Sequence, residues 1–307
     1  MAQPFHKIFC PVYFDETSPV ALEYARHFAR QDNGVVYLFH AVPTDELHLL
    51  RKVYRPAEHG GADVVRAEQL AREQLESLAR EHLQGTRYEV VTVRSSDSAK
   101  AILENEEKTG ADLVVMATHG RTGIAHLILG SVAEKVVRES KRPVFTTRRG
   151  ETLSGAHPFQ RILVPVDISD STNAALACAR RIAEQSGGTV HPLHIVPTDE
   201  TELLFHDVYE AREDKTSHKV SAVVAEKVAR QKLAALAEAH LAGLQYKPLL
   251  QVSGDPAKTI LEVEADIRAD LIVMTTHGVS GFFHLLLGSI TEKMIREANC
   301  PVLAFRQ

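Results

Sequence analysis

The run DLVVMATHG at 112–120 recurs almost unchanged as DLIVMTTHG at 270–278. In each copy nine residues separate the last glycine from a Gly-Ser pair, found at 130–131 and at 288–289. A continuous apolar run of this length is typical of a strand buried on both faces. A glycine loop that leads into a helix start supplies backbone N–H groups and a helix dipole for an anion. The two runs therefore predict two strand–loop–helix units suited to a phosphate group.

The repetition extends over almost the whole chain. The segment HAVPTDE at 40–46 returns as HIVPTDE at 194–200, 154 positions later, whereas Pro143 and Pro301 are 158 positions apart. The second copy therefore has four extra residues in its middle segment. A period this long, seen twice, indicates a domain duplication, because solenoid repeats have about 20–50 residues. We expect domain one at 1–149, a linker at 150–158 and domain two at 159–307.

Composition limits the classes of protein to consider. The chain has 307 residues, of which 44% are hydrophobic and 24% charged, as in ordinary globular domains. A net charge of −5 gives no reason to expect nucleic acid as a partner. The three cysteines are far apart and odd in number, which predicts reduced thiols in the core. No apolar run approaches the roughly 20 residues of a membrane span, so we expect no membrane partner and a cytoplasmic location.

Short apolar segments alternate with helical patterns in both halves. We expect strands at 8–12, 35–42, 88–93 and 143–145, with counterparts at 162–166, 190–196, 246–252 and 301–303, and long helices at 62–83 and 216–241. Ser18, Asp97 and Asp255 precede helical patterns and are predicted to be their N-caps. Strands that alternate with helices predict an α/β fold with a parallel sheet covered on both faces, which binds ligands at the carboxyl ends of its strands.

The repeated motifs resemble those of the universal stress protein family. The resemblance rests on the Met-x-Thr-His-Gly strand end, the nine residues before Gly-Ser, and Pro-Val at the end of the first strand. It implies two tandem doubly wound domains, each a five-stranded parallel sheet between helices, of the adenine-nucleotide-binding type. It also implies pairing through the last strands, either as an intramolecular pseudo-dimer or as a homodimer.

Both copies depart from the nucleotide-binding pattern of that family, Gly-x-x-Gly, nine residues, Gly-Ser/Thr. The first glycine is replaced by Ala117 and by Thr275, whose Cβ atoms would crowd a ribose or phosphate. The family's adenine-facing aspartate after Pro-Val is matched by Asp167 but replaced by Tyr13, with Asp15 nearby and out of register. We therefore expect domain two to be better suited to the base and domain one to the phosphates.

The resemblance implies ATP or another adenine nucleotide, with or without Mg²⁺, as the ligand. Glycines would let each loop turn over a phosphate and let backbone N–H groups approach it, and serine hydroxyls at a helix start would donate to its oxygens. The candidate binding residues of domain one are Pro11, Ala41, Val42, Ala117, His119, Gly120, Gly123, Gly130, Ser131 and Val132. Those of domain two are Pro165, Asp167, Ile195, Val196, Thr275, His277, Gly278, Gly281, Gly288, Ser289 and Ile290.

Other interpretations remain open. The segments SVAE at 131–134 and SITE at 289–292 have the capping-box pattern, which needs no ligand. The chain is then a tandem scaffold that acts through protein partners. A third interpretation is a site for another small ligand, because Tyr13 and Thr275 reshape the two pockets.

Neither a metal site nor an enzyme is predicted. His119, His126, His277 and His284 recur in register but lack the spacing of zinc ligands. The chain has no Gly-Lys-Ser/Thr motif and no evident acidic pair for Mg²⁺, so phosphoryl chemistry should be slow. The prediction is a cytosolic stress-response protein that binds ATP as a regulatory ligand and is at most a weak ATPase.

Overall fold

The computed structural model describes residues 4–44, 64–118, 129–148, 151, 153, 158–168, 172–197, 222–276 and 288–306. The chain separates into two compact units, residues 3–153 and residues 154–305. Both have the predicted α/β fold, in which helices flank a parallel sheet. We call them domain one and domain two.

Domain one contains five described strands and four described helices. In chain order they are β1 (Lys7–Pro11), α1 (Ser18–Gln31), β2 (Val35–Val42), α2 (Val64–His82), β3 (Arg87–Arg94), α3 (Ser98–Thr109), β4 (Leu113–Ala117), α4 (Ser131–Glu139) and β5 (Val144–Thr147). All strand pairs are parallel and the strand order is β3-β2-β1-β4-β5. The strand β4, which comes from the repeated apolar run, is buried along its whole length, as that run predicts.

Domain two repeats this architecture. Its described elements are β6 (Arg161–Pro165), α5 (Thr172–Ser186), β7 (Thr189–Pro197), α6 (Ala222–Leu241), β8 (Gln245–Tyr246), β9 (Leu249–Ser253), α7 (Pro256–Ile267), β10 (Leu271–Thr275), α8 (Ser289–Glu297) and β11 (Val302–Phe305). The parallel order is β7-β6-β10-β11, and both β8 and β9 pair with the outer side of β7.

The single strand predicted at 246–252 is therefore two strands. Pro248 lies between β8 and β9 and has no N–H to donate to β7. The amide of Lys247 still donates to the carbonyl of Val190 at 2.9 Å, so β8 ends on a normal ladder bond before the interruption. The break lies on an outer strand of domain two, where a proline is tolerated.

The two long helices bury equivalent small and large side chains. Ala71, Leu75 and Ala79 of α2 are fully buried, as are Ala229, Leu233 and Ala237 of α6, each 158 positions later. The offset has thus already reached 158 where α6 begins, so the four extra residues fall within 201–221, outside the described residues. The cysteines are buried and free, which confirms the prediction of core thiols, and burial raises the pKa of Cys178 to about 12.

Helix N-caps agree with the sequence in two cases out of three. The Asp97 carboxylate accepts from the Lys100 amide at 2.9 Å, and Asp255 accepts from the Lys258 amide at 3.0 Å. The prediction for α1 was wrong by one residue, because Ser18 already belongs to the helix and Thr17 is the N-cap.

Candidate functional site

The chain order of the strands creates an equivalent crevice position in each domain. β1 pairs with β2 on one side and with β4 on the other, and β6 likewise lies between β7 and β10. In open α/β sheets, ligands bind outside the carboxyl ends of the strands at such a reversal of strand order. The two strands therefore end at the same carboxyl edge of the sheet in each domain. In domain one Pro11 lies beside the strand that ends at Ala117. In domain two Pro165 lies beside the strand that ends at Thr275.

The Gly-Ser pairs begin the helices that follow these inner strands. Gly130 and Gly288 are the N-caps of α4 and α8, so Ser131 and Ser289 occupy the first helical position. The capping-box interpretation is therefore wrong, since a capping box needs the serine at the N-cap itself. Glu134 lies one position too far along α4 for that role and instead pairs with Arg138 at 3.3 Å.

The glycine of the pair is explained by the chain's own backbone. The amide of Gly130 donates to the Thr118 carbonyl at 3.0 Å, and that of Gly288 donates to the Thr276 carbonyl at 3.2 Å. A Cβ added at Gly288 would lie 2.7 Å from the Thr276 carbonyl oxygen, closer than van der Waals contact allows. These two glycine amides are therefore already used inside the protein, and any backbone N–H groups that approach a phosphate must belong to neighbouring residues.

The donors for an anion are instead those of the first helical turn. The first amides of a helix have no intrahelical acceptor, and for α4 they belong to Ser131, Val132 and Ala133. The hydroxyls of Ser131 and Ser289 make no hydrogen bond to any residue that the structure describes, and both residues are exposed. Hydroxyl, amides and helix dipole together favour a negatively charged group at each helix start.

The loops that follow β1 and β6 are built alike. The amide of Val12 donates to the Phe39 carbonyl at 2.9 Å, and the amide of Val166 donates to the Leu193 carbonyl at 2.8 Å. Phe14 and Ile168, which are also equivalent, both have left-handed backbone conformations, with φ of 56° and 57°. Such a conformation costs a non-glycine residue of order 1–3 kcal/mol, and its retention in both domains shows that the loop shape is tightly specified.

Two buried histidines hold these loops against the neighbouring strand. Nδ1 of His40 lies 2.7 Å from the Val12 carbonyl oxygen, and Nδ1 of His194 lies 2.9 Å from that of Val166. Burial lowers the pKa of His194, although the Val166 hydrogen bond and Asp167 oppose this shift. The low pKa favours the neutral ring, in which Nδ1–H donates to the carbonyl. Both histidines lie within their strands and fix the loops that carry Tyr13 and Asp167.

The aspartate of each loop makes the same reciprocal bonds from different positions. In domain two, Thr172 Oγ1 donates to Asp167 Oδ1 at 2.8 Å, and the Asp167 amide points back to that hydroxyl at 3.4 Å. In domain one, Ser18 Oγ donates to Asp15 Oδ1 at 3.2 Å, and the Asp15 amide again lies 3.4 Å from the hydroxyl. Relative to domain two, the aspartate of domain one stands two residues later in the loop. Tyr13, at the position equivalent to Asp167, is therefore not needed to bind the start of α1.

Val42 does not fit its predicted role in a ligand slot. Its side chain is completely buried against Ala67 and Ala71 of α2, with Phe14 packed on the same cluster. Its carbonyl accepts from the Ser95 amide at 3.0 Å, so Val42 presents neither side chain nor carbonyl to a ligand. The other three predicted slot residues of the second strands, which are buried or half-buried at the carboxyl edge, are Ala41, Ile195 and Val196.

Three comparisons with known proteins bear on this site. The model of the universal stress protein family matches residues 4–148 and again residues 158–306. The chain belongs to the universal stress protein family. It is a tandem member, with one match in each half of the chain.

Its relatives include single-domain and longer members of the universal stress protein family. A universal stress protein of Thermus aquaticus is 34% identical over 151 residues, which are 48% of this chain and 99% of the relative. The universal stress protein E homolog of Haemophilus influenzae is 28% identical over 224 residues, covering 70% of this chain and 68% of the relative. A universal stress protein structure from Archaeoglobus fulgidus covers 99% of both chains at 20% identity with a TM-score of 0.66, which shows a shared fold.

In this tandem universal stress protein, part of the predicted site lies outside the described residues: His119, Gly120, Gly123, His277, Gly278 and Gly281. Among the described residues, no group of three or more histidine, cysteine, aspartate or glutamate side chains could hold a metal ion. No described helix has the length and apolarity needed to cross a membrane.

The sequence analysis did not identify the roles of Thr17 or of the carbonyls of Thr118 and Thr276. For Thr17 a signal was available: the Asp-x-Thr-Ser pattern at 15–18 is typical of a local turn in which the aspartate side chain accepts from nearby backbone amides.

Proposed function

We propose that this universal stress protein binds an adenine nucleotide, ATP in the first instance, as a regulatory ligand and has no dedicated metabolic activity. The observation that carries the proposal is the start of α4 and of α8. In both places an exposed serine and the first-turn amides stand at the carboxyl edge of a parallel sheet, after the inner strand at the reversal of strand order. That combination is a general phosphate-binding arrangement.

Asp167 supports the assignment of the base in domain two. Its carboxylate is half-buried at the end of β6, on the edge that also carries the start of α8. A carboxylate oxygen accepts hydrogen bonds only, which suits the exocyclic amine of adenine. Base and phosphates then contact different elements of one edge, and a nucleotide would also contact the loops at 117–130 and 275–288, most of which lie outside the described residues. The altered surface would carry the regulatory signal to protein partners in the cytoplasm.

A regulatory role agrees with the sequence of the two glycine loops. The sequence has no lysine next to the loop glycines to neutralise developing charge on a transferred phosphoryl group. We therefore place the protein among binding proteins whose ATP hydrolysis is at most weak.

Replacing the helix-start serines by aspartate tests the proposal without weakening the helices. Asp at the first helical position is favourable to the helix dipole but repels a phosphate. We expect Ser131→Asp and Ser289→Asp each to abolish one class of ATP sites, or to weaken it at least about tenfold, in calorimetric titrations with Mg²⁺-ATP. The thermal stability of the unliganded protein should be unchanged or slightly higher.

Gln245→Glu is the matched control for added negative charge. Gln245 begins β8 opposite Thr189, the first residue of β7, and so lies at the amino edge, away from the proposed site. ATP binding should be unchanged in this variant. A folded wild-type protein that gives no heat and no thermal shift with ATP, or ATP binding that survives both serine substitutions together, would contradict the proposal.

A further inference from the structure

The outer strand of domain one is continuous and open on one side. β3 has eight residues, Arg87–Arg94, and pairs in parallel with β2 along its whole length. It ends the strand order, and among the described residues no strand pairs with its other side. Tyr88 of β3 is 37% exposed, and the valines that follow it are half-buried. A strand with an unpaired side is a template for the backbone of another chain.

One hydrogen bond defines which residues of β3 face outward. The Ser95 amide donates to the Val42 carbonyl of β2 at 3.0 Å. Backbone groups of successive strand residues point to opposite sides, so every second residue before Ser95 also faces β2. Within the part of the chain that the structure describes, no hydrogen bond engages the outward N–H and C=O groups. These groups belong to Tyr88, Val90, Thr92 and Arg94.

Domain two interrupts the equivalent edge with a proline. Its outer strands are the short β8 and β9, and Pro248 stands between them, 158 positions after Val90. The Lys247 amide faces β7, where it donates to Val190, so the nitrogen of Pro248 lies on the outer side and offers no N–H there. A proline on an outer strand protects against edge-to-edge pairing. Domain one has valine at this position and keeps the outward donor.

Two copies of β3 match each other in antiparallel orientation. With a two-fold axis at Val91, Tyr88 of each copy lies opposite Arg94 of the other, and Val90 lies opposite Thr92. All the outward residues of both copies then exchange N–H···O=C bonds, about eight in total, which is within the usual number for a specific interface. Moving the axis by one residue in either direction leaves one end of β3 unpaired.

The side chains are complementary in the same register. The Nε of Arg94 donates to a glutamate of α2 at 2.8 Å, which holds the guanidinium on the face of β3 that also carries Tyr88. A guanidinium opposite a tyrosine ring makes a cation–π contact, and the two-fold axis provides this contact twice. Glu89 lies opposite Val93, and two Val91 side chains meet at the axis. No two like charges therefore face each other directly across the strands.

We propose that the outer edge of β3 is a self-association surface, through which a second copy of this chain continues the sheet of domain one by antiparallel pairing about a two-fold axis at Val91. A two-fold interface must be its own complement, and β3 meets this requirement in both its backbone and its side chains. The surface differs from the last strands, through which the family resemblance implies pairing. It does not depend on the proposed nucleotide function.

Sedimentation velocity of the full chain without nucleotide, over a range of concentrations, measures the association. Val90→Pro gives domain one the proline that domain two has at this position, and it removes an outward donor from each copy. We expect the dissociation constant of the dimer to rise at least about tenfold. Because no nucleotide is added, failure of this inference leaves the proposed function untouched, and failure to bind ATP leaves this inference untouched.

Two substitutions of Tyr88 keep the test decisive if the proline disturbs folding. Tyr88→Lys places a second positive charge opposite Arg94 of the other copy, whereas Tyr88→Glu places a negative charge there. Both remove the same exposed ring, so a purely structural role would affect them alike. We expect Tyr88→Lys to dissociate the dimer and Tyr88→Glu to retain it. Val252→Lys, at a position of β9 that is 46% exposed, is the control in domain two and should not change the association.

A cysteine at the axis tests the register. In the dimer of Val91→Cys, the two sulfur-bearing residues form a non-hydrogen-bonded pair with Cα atoms about 4.5 Å apart, within the range of a disulfide. The native cysteines are buried, so oxidised glutathione should cross-link two copies of this variant. Val93→Cys is the control, because its sulfurs would lie about 13 Å apart and should not be joined.

Two results would overturn the inference. One is a folded wild-type chain that remains monomeric up to about 100 μM. The other is an association that both Val90→Pro and Tyr88→Lys leave unchanged, since that association would use a different surface.

Discussion

Glu106 should make domain one less stable as the pH rises from 4.5 to about 7. This carboxyl of α3 is only 3% exposed and lies 2.8 Å and 3.0 Å, by its two oxygens, from the hydroxyl of Ser140. Burial raises the pKa of Glu106 from 4.5 to about 7, against the opposing effects of Ser140, the Lys141 amide and Arg142. The folded protein therefore keeps a proton that the unfolded chain has already lost.

Ser140 opposes this shift without cancelling it. Its hydroxyl donates to Glu106 and so favours the ionised carboxylate, while the same hydroxyl accepts from the Arg142 amide at 3.0 Å. Desolvation by burial is the larger effect, so the pKa of Glu106 stays well above its ordinary value.

The sign and size of the effect follow from linkage. Between pH 4.5 and pH 7 the folded state binds more protons at Glu106 than the unfolded state, so its contribution to the free energy of unfolding falls as the pH rises. A shift from 4.5 to about 7 corresponds to a loss of about 3 kcal/mol over that window. Glu106→Gln imitates the protonated group and should remove the loss.

Urea unfolding at several pH values between 4 and 8 measures this directly. The free energy of unfolding of Glu106→Gln minus that of wild type should increase by about 3 kcal/mol from pH 4.5 to pH 7.5. Glu104→Gln, an exposed carboxylate on the same helix paired with Lys100 at 3.8 Å, is the matched control and should change the profile by less than about 0.5 kcal/mol. Parallel profiles of Glu106→Gln and wild type would refute the reasoning.

Three further predictions concern residues that hold the domains together. Gly288→Ala should lower the thermal transition temperature of domain two, measured by scanning calorimetry. The added methyl group would lie 2.7 Å from the Thr276 carbonyl oxygen, and we expect the free energy of unfolding to fall by about 1–3 kcal/mol. An unchanged transition would contradict the close approach. Burial lowers the pKa of His194, so the folded state takes up a proton less readily than the unfolded chain, and wild-type stability should fall as the pH drops below 6.5. His194→Asn, whose amide can still donate to Val166, should make that fall smaller in urea titrations. An equal fall in the variant would count against a buried neutral ring. A thiol reagent such as dithionitrobenzoate should label the folded chain no faster than the chain unfolds locally, and should label the urea-unfolded chain at once. Rapid labelling of the folded chain would exclude burial of Cys10, Cys178 and Cys300.

Much of the fold follows from local patterns. The apolar runs at 113–117 and 271–275 became β4 and β10, because a short, largely apolar run bounded by turn signals is typical of a strand covered on both faces. Asp97 and Asp255 were identifiable as N-caps because a cap acts within one turn of its own residue. The split into β8 and β9 was missed, although Pro248 was its visible cause.

The site was less predictable, since its key facts are about which atoms are already occupied. The sequence showed Gly130 and Gly288 before a helix but not that their amides bond to Thr118 and Thr276. It assigned Val42 to a slot, whereas the packing of α2 buries that side chain completely. Each of these outcomes depends on contacts between segments that are separated in the chain.

The sequence by itself determined the duplication, the alternation of strands and helices, and the family, because repeats, periodicity and motifs are properties of neighbouring residues. Only the tertiary structure decided that Asp15 holds the start of α1 through one oxygen while the other remains without a partner beside Tyr13. Burial and hydrogen-bond occupancy of an atom are set by everything that packs around it. The displacement of an aspartate by two residues is visible in the sequence, but its physical consequence exists only in the folded loop.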